Sequence, residues 1–168
     1  TYYCLNNNEE TITDASNSGA ASAGAAPKNA GIYRAKVTIT DGTNPETKVT
    51  ATKDFTIKPL TIDKVAFTEP TTTLGSSQAT SLTTATNAYY NGTISWAPSE
   101  GKFGYNKSYT ATVTLTLKDS GNCKFADSVQ CANSGWKKEQ TLSDDGKLVL
   151  KKTYTTAKAK ITKVTAPD

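Results

Sequence analysis

The feature that most constrains the fold is a strict two-residue alternation over residues 109–117, which read YTATVTLTL. Apolar or aromatic residues occupy the odd positions, and threonines occupy the even ones. Because successive side chains of a β-strand point to opposite faces, this segment is predicted to be a strand with one buried and one solvated face. Alternating segments separated by turn residues recur through most of the chain, and helical periodicity is nearly absent. The sequence therefore predicts an all-β protein.

The composition is consistent with a β-sheet protein that has much surface. Hydrophobic residues make up 36% of the 168 residues, compared with about 45% in an average globular protein. Threonine is abundant, and its β-branched side chain suits a pleated, half-solvated surface. We therefore expect thin sheets rather than the thick core of a large enzyme.

Pro59 separates two groups of predicted strands. Before it, two alternating runs flank the turn DGTNPE and predict an antiparallel hairpin. About seven short strands are predicted after residue 60, which is the strand number of an immunoglobulin-like sandwich. We therefore predict two tandem immunoglobulin-like β-sandwich modules, residues 1–59 and 60–168, of which the N-terminal one is incomplete. In the second module, a hairpin is predicted around the turn residues Asp144, Asp145 and Gly146.

The alternation also predicts which side chains form each core. In the first module these are Tyr33, Val37, Ile39, Phe55 and Ile57. In the second module they are Ile94, Trp96, Phe103, Tyr109, Val113, Leu115 and Phe125.

The residue types argue against catalysis and against several kinds of partner. The chain has no histidine, which removes Ser–His–Asp and Cys–His catalysis and the commonest metal ligand. The acids lie mainly in turns, where they usually bond to their own backbone. Net charge is +4 with scattered lysines and no stacking motif, and no apolar run approaches the length of a membrane span. We expect no enzyme activity, no cofactor, no metal site, no nucleic-acid partner and no membrane insertion.

Two of the three cysteines, Cys123 and Cys131, flank a predicted loop. Their spacing in the sequence allows a disulfide between them, which would leave Cys4 unpaired. Two buried free thiols are the alternative, because free cysteine is among the most buried residue types.

Trp136 lies in a polar, basic segment and has two possible roles. An exposed tryptophan could stack on a sugar ring or anchor a protein partner, with Lys137 and Tyr90 beside it. Alternatively, Trp136 covers one end of the sandwich. Tyr89 and Tyr90 are adjacent, so their side chains point to opposite faces and one of them is expected in the core.

Several short motifs, taken in order, resemble repeats of bacterial cell-surface proteins. The segment PKNAGIY at residues 27–33, followed by a strand and then DFTIKPLTI, resembles the closing half of an Ig-like repeat of such proteins. The second module is similar to another surface-protein repeat at Trp96, Pro98, Gly101, Phe103, residues 109–115, Phe125 and the sequence DGKL at residues 145–148. The chain departs from this pattern at Cys123, where an aromatic residue is usual, and in the long segment 129–140.

The resemblance implies a function outside a bacterial cell, in a secreted or wall-attached protein. The expected role is a non-catalytic spacer, monomeric and joined to neighbouring Ig-like modules of its parent chain, that presents other domains away from the envelope. The alternative is an adhesin or carbohydrate-binding module that binds a host glycan or matrix protein through exposed aromatic residues such as Trp136. Ig-like domains of surface proteins can also carry a Lys–Asn isopeptide crosslink beside an acid, and no motif in this sequence selects three such residues.

Overall fold

The computed structural model of the protein describes residues 2–5, 11–12, 27–40, 42–44, 46–85, 88–142 and 146–160, and describes the backbone alone at residues 2–5, 11–12 and 140–142. The chain divides into two compact units, residues 1–60 and 61–168, one residue away from the predicted boundary. All regular secondary structure in the described ranges consists of β-strands, so the prediction of an all-β protein is confirmed. These ranges contain no helix long and apolar enough to cross a membrane.

The first unit contains one antiparallel sheet with the strand order β2-β1-β3-β4. Its strands are β1 (Tyr2–Leu5), β2 (Thr11–Ile12), β3 (Gly31–Thr40) and β4 (Lys48–Ile57). The β3–β4 pairing runs without interruption from Gly31 opposite Ile57 to Thr40 opposite Lys48. The predicted hairpin is therefore confirmed.

Among the described side chains of the first unit, fewer of the predicted core residues are buried than expected. Tyr33 is buried; its hydroxyl donates to the carbonyl of Asn29 at 2.9 Å, and its ring stacks on Phe55. Phe55 and Ile57 are half-buried. The prediction that Val37 and Ile39 are core residues is wrong, because 59% and 67% of their surfaces are exposed. Alternation determines the face to which a side chain points, but it does not determine whether anything covers that face.

The second unit contains two sheets. Its strands are β5 (Leu60–Val65), β6 (Ser81–Leu82), β7 (Tyr90–Ala97), β8 (Ser108–Leu117), β9 (Cys123–Cys131), β10 (Lys137–Leu142) and β11 (Lys147–Thr155). Five of them form a sheet in the order β10-β11-β8-β7-β6, and β5 pairs with β9 in the other sheet. The antiparallel β10–β11 pair confirms the predicted hairpin, although the turn residues Asp144 and Asp145 lie outside the described ranges.

Strand β8 has the alternation that the sequence predicts. Its side chains at Tyr109, Ala111, Val113 and Leu115 are completely buried, and the threonines between them are half-buried or exposed. Residues of both sheets contribute to one hydrophobic cluster around this row. All seven predicted core residues of the second unit are buried, so that prediction is confirmed.

We predict that two neighbouring substitutions in β8 have unequal effects on the free energy of unfolding. Leu115→Ala leaves a cavity among fully buried side chains and should cost about 2–5 kcal/mol. Thr116→Ala removes an exposed side chain and should cost no more than about 1 kcal/mol, the span of β-propensity differences. Urea unfolding followed by tryptophan fluorescence measures both, and equal losses would contradict the burial of this row.

Candidate functional site

In the second unit, the carboxylate of Glu69 accepts hydrogen bonds from four different side chains. Its Oε2 accepts a bond from Nε1 of Trp136 at 3.0 Å and one from Nδ2 of Asn133 at 3.1 Å. Its Oε1 accepts a bond from the hydroxyl of Tyr154 at 2.7 Å and forms an ion pair with Nζ of Lys152. We call these five residues the Glu69 cluster.

Three separate parts of the second unit contribute to the Glu69 cluster. Glu69 lies in the segment between β5 and β6, and two further members come from the five-residue connection 132–136 between β9 and β10. Lys152 and Tyr154 are two residues apart on β11, so they share one face of that strand. The cluster therefore links the end of the two-stranded sheet to the second half of β11, the strand next to the edge of the five-stranded sheet.

Asn133 fixes the connection 132–136 against the chain segment that carries Glu69. Its Oδ1 accepts a bond from the backbone N–H of Phe67 at 3.2 Å, and its Nδ2 donates to the carbonyl of Phe67 at 2.9 Å. The ring of Trp136 then packs edge-on against the ring of Phe67, with 5.0 Å between the centroids. Trp136 is directed inward for this reason.

The ammonium group of Lys152 is held in a partly desolvated position. Its Nζ lies 5.0 Å from the ring centroid of Tyr154 and 5.9 Å from that of Trp136, and it donates to the carbonyl of Ser134 at 2.9 Å. The side chain of Lys152 is 23% exposed and that of Glu69 is 38% exposed. Water therefore screens the ion pair less than it screens a pair on the open surface.

The surroundings set the protonation states in the Glu69 cluster. Burial by itself would raise the pKa of Glu69, but the hydrogen bonds from Lys152, Tyr154 and Trp136 outweigh it, so the pKa lies below its ordinary value. Burial and the neighbouring carboxylate raise the pKa of Tyr154. At neutral pH, Glu69 is therefore a carboxylate and Tyr154 a neutral phenol.

The three residues predicted to bind a ligand do not form an exposed platform. Trp136 is 8% exposed and belongs to the hydrophobic core. Tyr90 is also buried, and its hydroxyl oxygen accepts a bond from the backbone N–H of Ala66 at 2.9 Å. Only Lys137 of the three is exposed. Of the two roles that the sequence left open for Trp136, the structure favours the inward, covering one.

Lys137 lines a shallow hollow of about 290 Å³ together with Lys151 and Lys152. Lys151 is paired with Glu139 at 2.6 Å, and Lys152 is paired with Glu69. These carboxylates already neutralise two of the three lysines, which leaves the hollow a weak site for an anion.

The exposed tyrosines of the second unit lie far from each other. Tyr89 precedes β7 and Tyr105 precedes β8, and both side chains are more than half exposed. Since β7 and β8 are antiparallel, with Tyr90 opposite Leu117, the two tyrosines lie toward opposite ends of the strand pair. They do not form a row. Tyr90 is the core member of the Tyr89–Tyr90 pair, as one of the two was predicted to be.

Of the two alternatives that the sequence left open for Cys123 and Cys131, the structure favours free thiols, because the segment between them is a strand and not a loop. The two cysteines are the first and last residues of β9. An extended strand separates their Cα atoms by about 26 Å, far beyond the reach of a disulfide. Both are free thiols, and burial raises the pKa of each. The side chain of Cys4 lies outside the described part of the chain.

One feature of the sequence, the position of Lys152 in the apolar row of β11, could have indicated the Glu69 cluster. Leu148 and Leu150 are buried, and the same alternation along β11 places Lys152 in the next core-facing position. A lysine at such a position needs a charge partner nearby. Nothing in the sequence selects Glu69 as that partner. In the described ranges, no group of three or more Cys, Asp or Glu side chains is arranged to hold a metal ion.

Glu69→Gln should change the dependence of stability on pH. Because the pKa of Glu69 is lowered in the folded state, its contribution is present above its ordinary value of 4.5 and is lost as the pH falls below that value. Between pH 6 and pH 3, the free energy of unfolding should therefore fall more steeply for the wild type than for Glu69→Gln. Urea unfolding at a series of pH values measures this difference, and parallel curves would contradict it.

Comparison with family models, with curated protein sequences and with solved structures found no match to this chain. Its function therefore has to be inferred from its own residues.

Proposed function

We propose that this chain is a non-catalytic spacer of a bacterial extracellular protein, built from two tandem immunoglobulin-like β-sandwich modules. It presents other domains of its parent protein away from the cell envelope. Its partners are the neighbouring modules of the same chain, and it acts as a monomer.

The observation that carries this proposal is the burial of Trp136. The adhesive alternative predicts binding through exposed aromatic side chains such as Trp136. Trp136 instead packs on Phe67 and donates its N–H to Glu69, so its polar atom and its ring are both already engaged. The exposed residues Tyr89 and Tyr105 lie toward opposite ends of the sheet and do not replace it.

The surface of the sheets also supports a spacer. The threonines of β8 keep its outer face soluble while favouring extended backbone. The edge strands β4 and β10 carry Lys48, Lys53, Lys137 and Lys138. Lysines on an edge strand oppose pairing with the edge of another sheet. Modules of this kind can stand close together in a chain without aggregating.

We predict that the second unit resists trypsin although lysines occur along its strands. A fragment that retains residues 61–160 should survive conditions that digest an unfolded chain, because cleavage requires the strands to open. Trp136→Ala should remove this resistance, since truncation of a buried aromatic side chain costs about 3–5 kcal/mol. Lys137→Ala, the exposed neighbour, should retain it.

The same proteins can be tested on an array of host and bacterial glycans and matrix proteins. A spacer should show no saturable binding. Saturable binding that Tyr89→Ala or Tyr105→Ala abolishes, in a variant that still resists trypsin, would contradict the spacer and establish a binding module.

A further inference from the structure

We propose that the Glu69 cluster is a binding site for a primary alkylammonium ion, and that the side chain of Lys152 occupies this site as a built-in ligand. This inference does not depend on the spacer role. It treats Lys152 as the ligand and the groups around it as the site. The same groups should therefore take up a free amine when the lysine side chain is shortened.

Two aromatic rings flank the ammonium group of Lys152. Its Nζ lies 5.0 Å from the ring centroid of Tyr154 and 5.9 Å from that of Trp136. The face of an aromatic ring attracts a cation that lies within about 6 Å of its centroid. Neither ring depends on the lysine for its position. The ring of Trp136 packs against Phe67, and the ring of Tyr154 packs against Trp96. The two rings therefore form two walls of a preformed cation site.

Two oxygen acceptors select an ammonium group that carries N–H bonds. Nζ of Lys152 forms an ion pair with Oε1 of Glu69 and donates to the carbonyl of Ser134 at 2.9 Å. Such charge-assisted hydrogen bonds are stronger than those between neutral groups. A quaternary ammonium ion has no N–H to donate to either acceptor. We therefore expect the site to prefer a primary ammonium ion to a quaternary one.

The backbone at Gly135 forms a wall along the alkyl part of Lys152. Gly135 has a φ of +80°, a conformation that favours glycine. A Cβ atom at this position would lie 3.3 Å from Cε and 3.7 Å from Cδ of Lys152. The absence of a side chain thus allows the backbone to approach the lysine closely. The space that the lysine fills is a narrow channel suited to an unbranched alkyl chain.

Lys152→Ala should empty this channel without removing its walls. The atoms removed are Cγ, Cδ, Cε and Nζ, which together correspond to n-propylammonium. The Glu69 carboxylate keeps its other three donors and so remains hydrogen-bonded. The side chain of Lys152 is 23% exposed, so a free amine can enter from solvent. In the wild type, the attached lysine competes at a high effective concentration and keeps the site closed.

The test is a titration of full-chain Lys152→Ala with n-propylammonium chloride, against sodium chloride at the same concentration. The indole N–H signal of Trp136 in a proton–nitrogen NMR spectrum should shift saturably. The dissociation constant should lie in the millimolar range, because so small a ligand makes few contacts. The midpoint of thermal unfolding should rise as the site fills. The wild type should show neither change.

Lys152→Met is the matched control, because methionine fills the channel with an unbranched side chain and carries no charge. It should show no saturable response. n-Propanol resembles the ligand in shape but lacks its charge, and it should not bind Lys152→Ala. Tetramethylammonium should bind at least about tenfold more weakly than n-propylammonium. Adding Glu69→Gln to Lys152→Ala should weaken the binding of n-propylammonium by a similar factor.

Circular dichroism shows whether Lys152→Ala is folded, and either state tests the site. In a folded variant, the lack of a saturable response would overturn the proposal. An equal response in Lys152→Met, or an equal response to n-propanol, would overturn it as well. In a variant that is unfolded alone, n-propylammonium should restore the wild-type spectrum and n-propanol should not. Failure of that rescue would also overturn the proposal.

Discussion

The second unit depends on the position of β8 between β7 and β11. Strand β8 supplies a row of completely buried side chains at Tyr109, Ala111, Val113 and Leu115. Its register also fixes β11, since Tyr154 lies opposite Tyr109 and Lys152 lies opposite Ala111. Slipping this pairing by one residue would turn every apolar side chain of β11 toward solvent. The burial of β8 and its register with β11 thus determine where Lys152 must lie.

The inward direction of the Lys152 side chain follows from the alternation of β11, as the burial of Leu148 and Leu150 does. On β11 the core-facing row runs from Leu148 and Leu150 to Lys152 and Tyr154, so the row changes from apolar to polar as it leaves the centre of the sheet. A charge in this row needs compensation, because desolvating an unpaired ammonium group is costly. Glu69 provides it, and the phenol and indole donors satisfy the remaining lone pairs of the carboxylate.

The sequence predicted strands and their faces better than it predicted contacts. All seven core residues of the second unit were predicted correctly, because a second sheet covers the apolar face. The same reasoning was wrong for Val37 and Ile39, since alternation carries no information about a covering layer. Trp136 could not be placed from its polar neighbours in the sequence, because the bonds of Asn133 to Phe67 decide its direction. Residues separated by more than sixty positions leave no local pattern.

A comparison of the free energy of the ion pair with the entropy cost of fixing its lysine indicates what holds the Glu69 cluster in place. A partly exposed ion pair contributes about 0–1 kcal/mol, whereas fixing a lysine side chain costs about 1.5–2 kcal/mol of entropy. The pair of Lys152 and Glu69 therefore does not order itself. The rings of Trp136 and Tyr154 are ordered by the core, through contacts with Phe67 and Trp96, and they position the charged groups. The ion pair is in consequence preorganised by the packing of the rings around it and not by its own attraction.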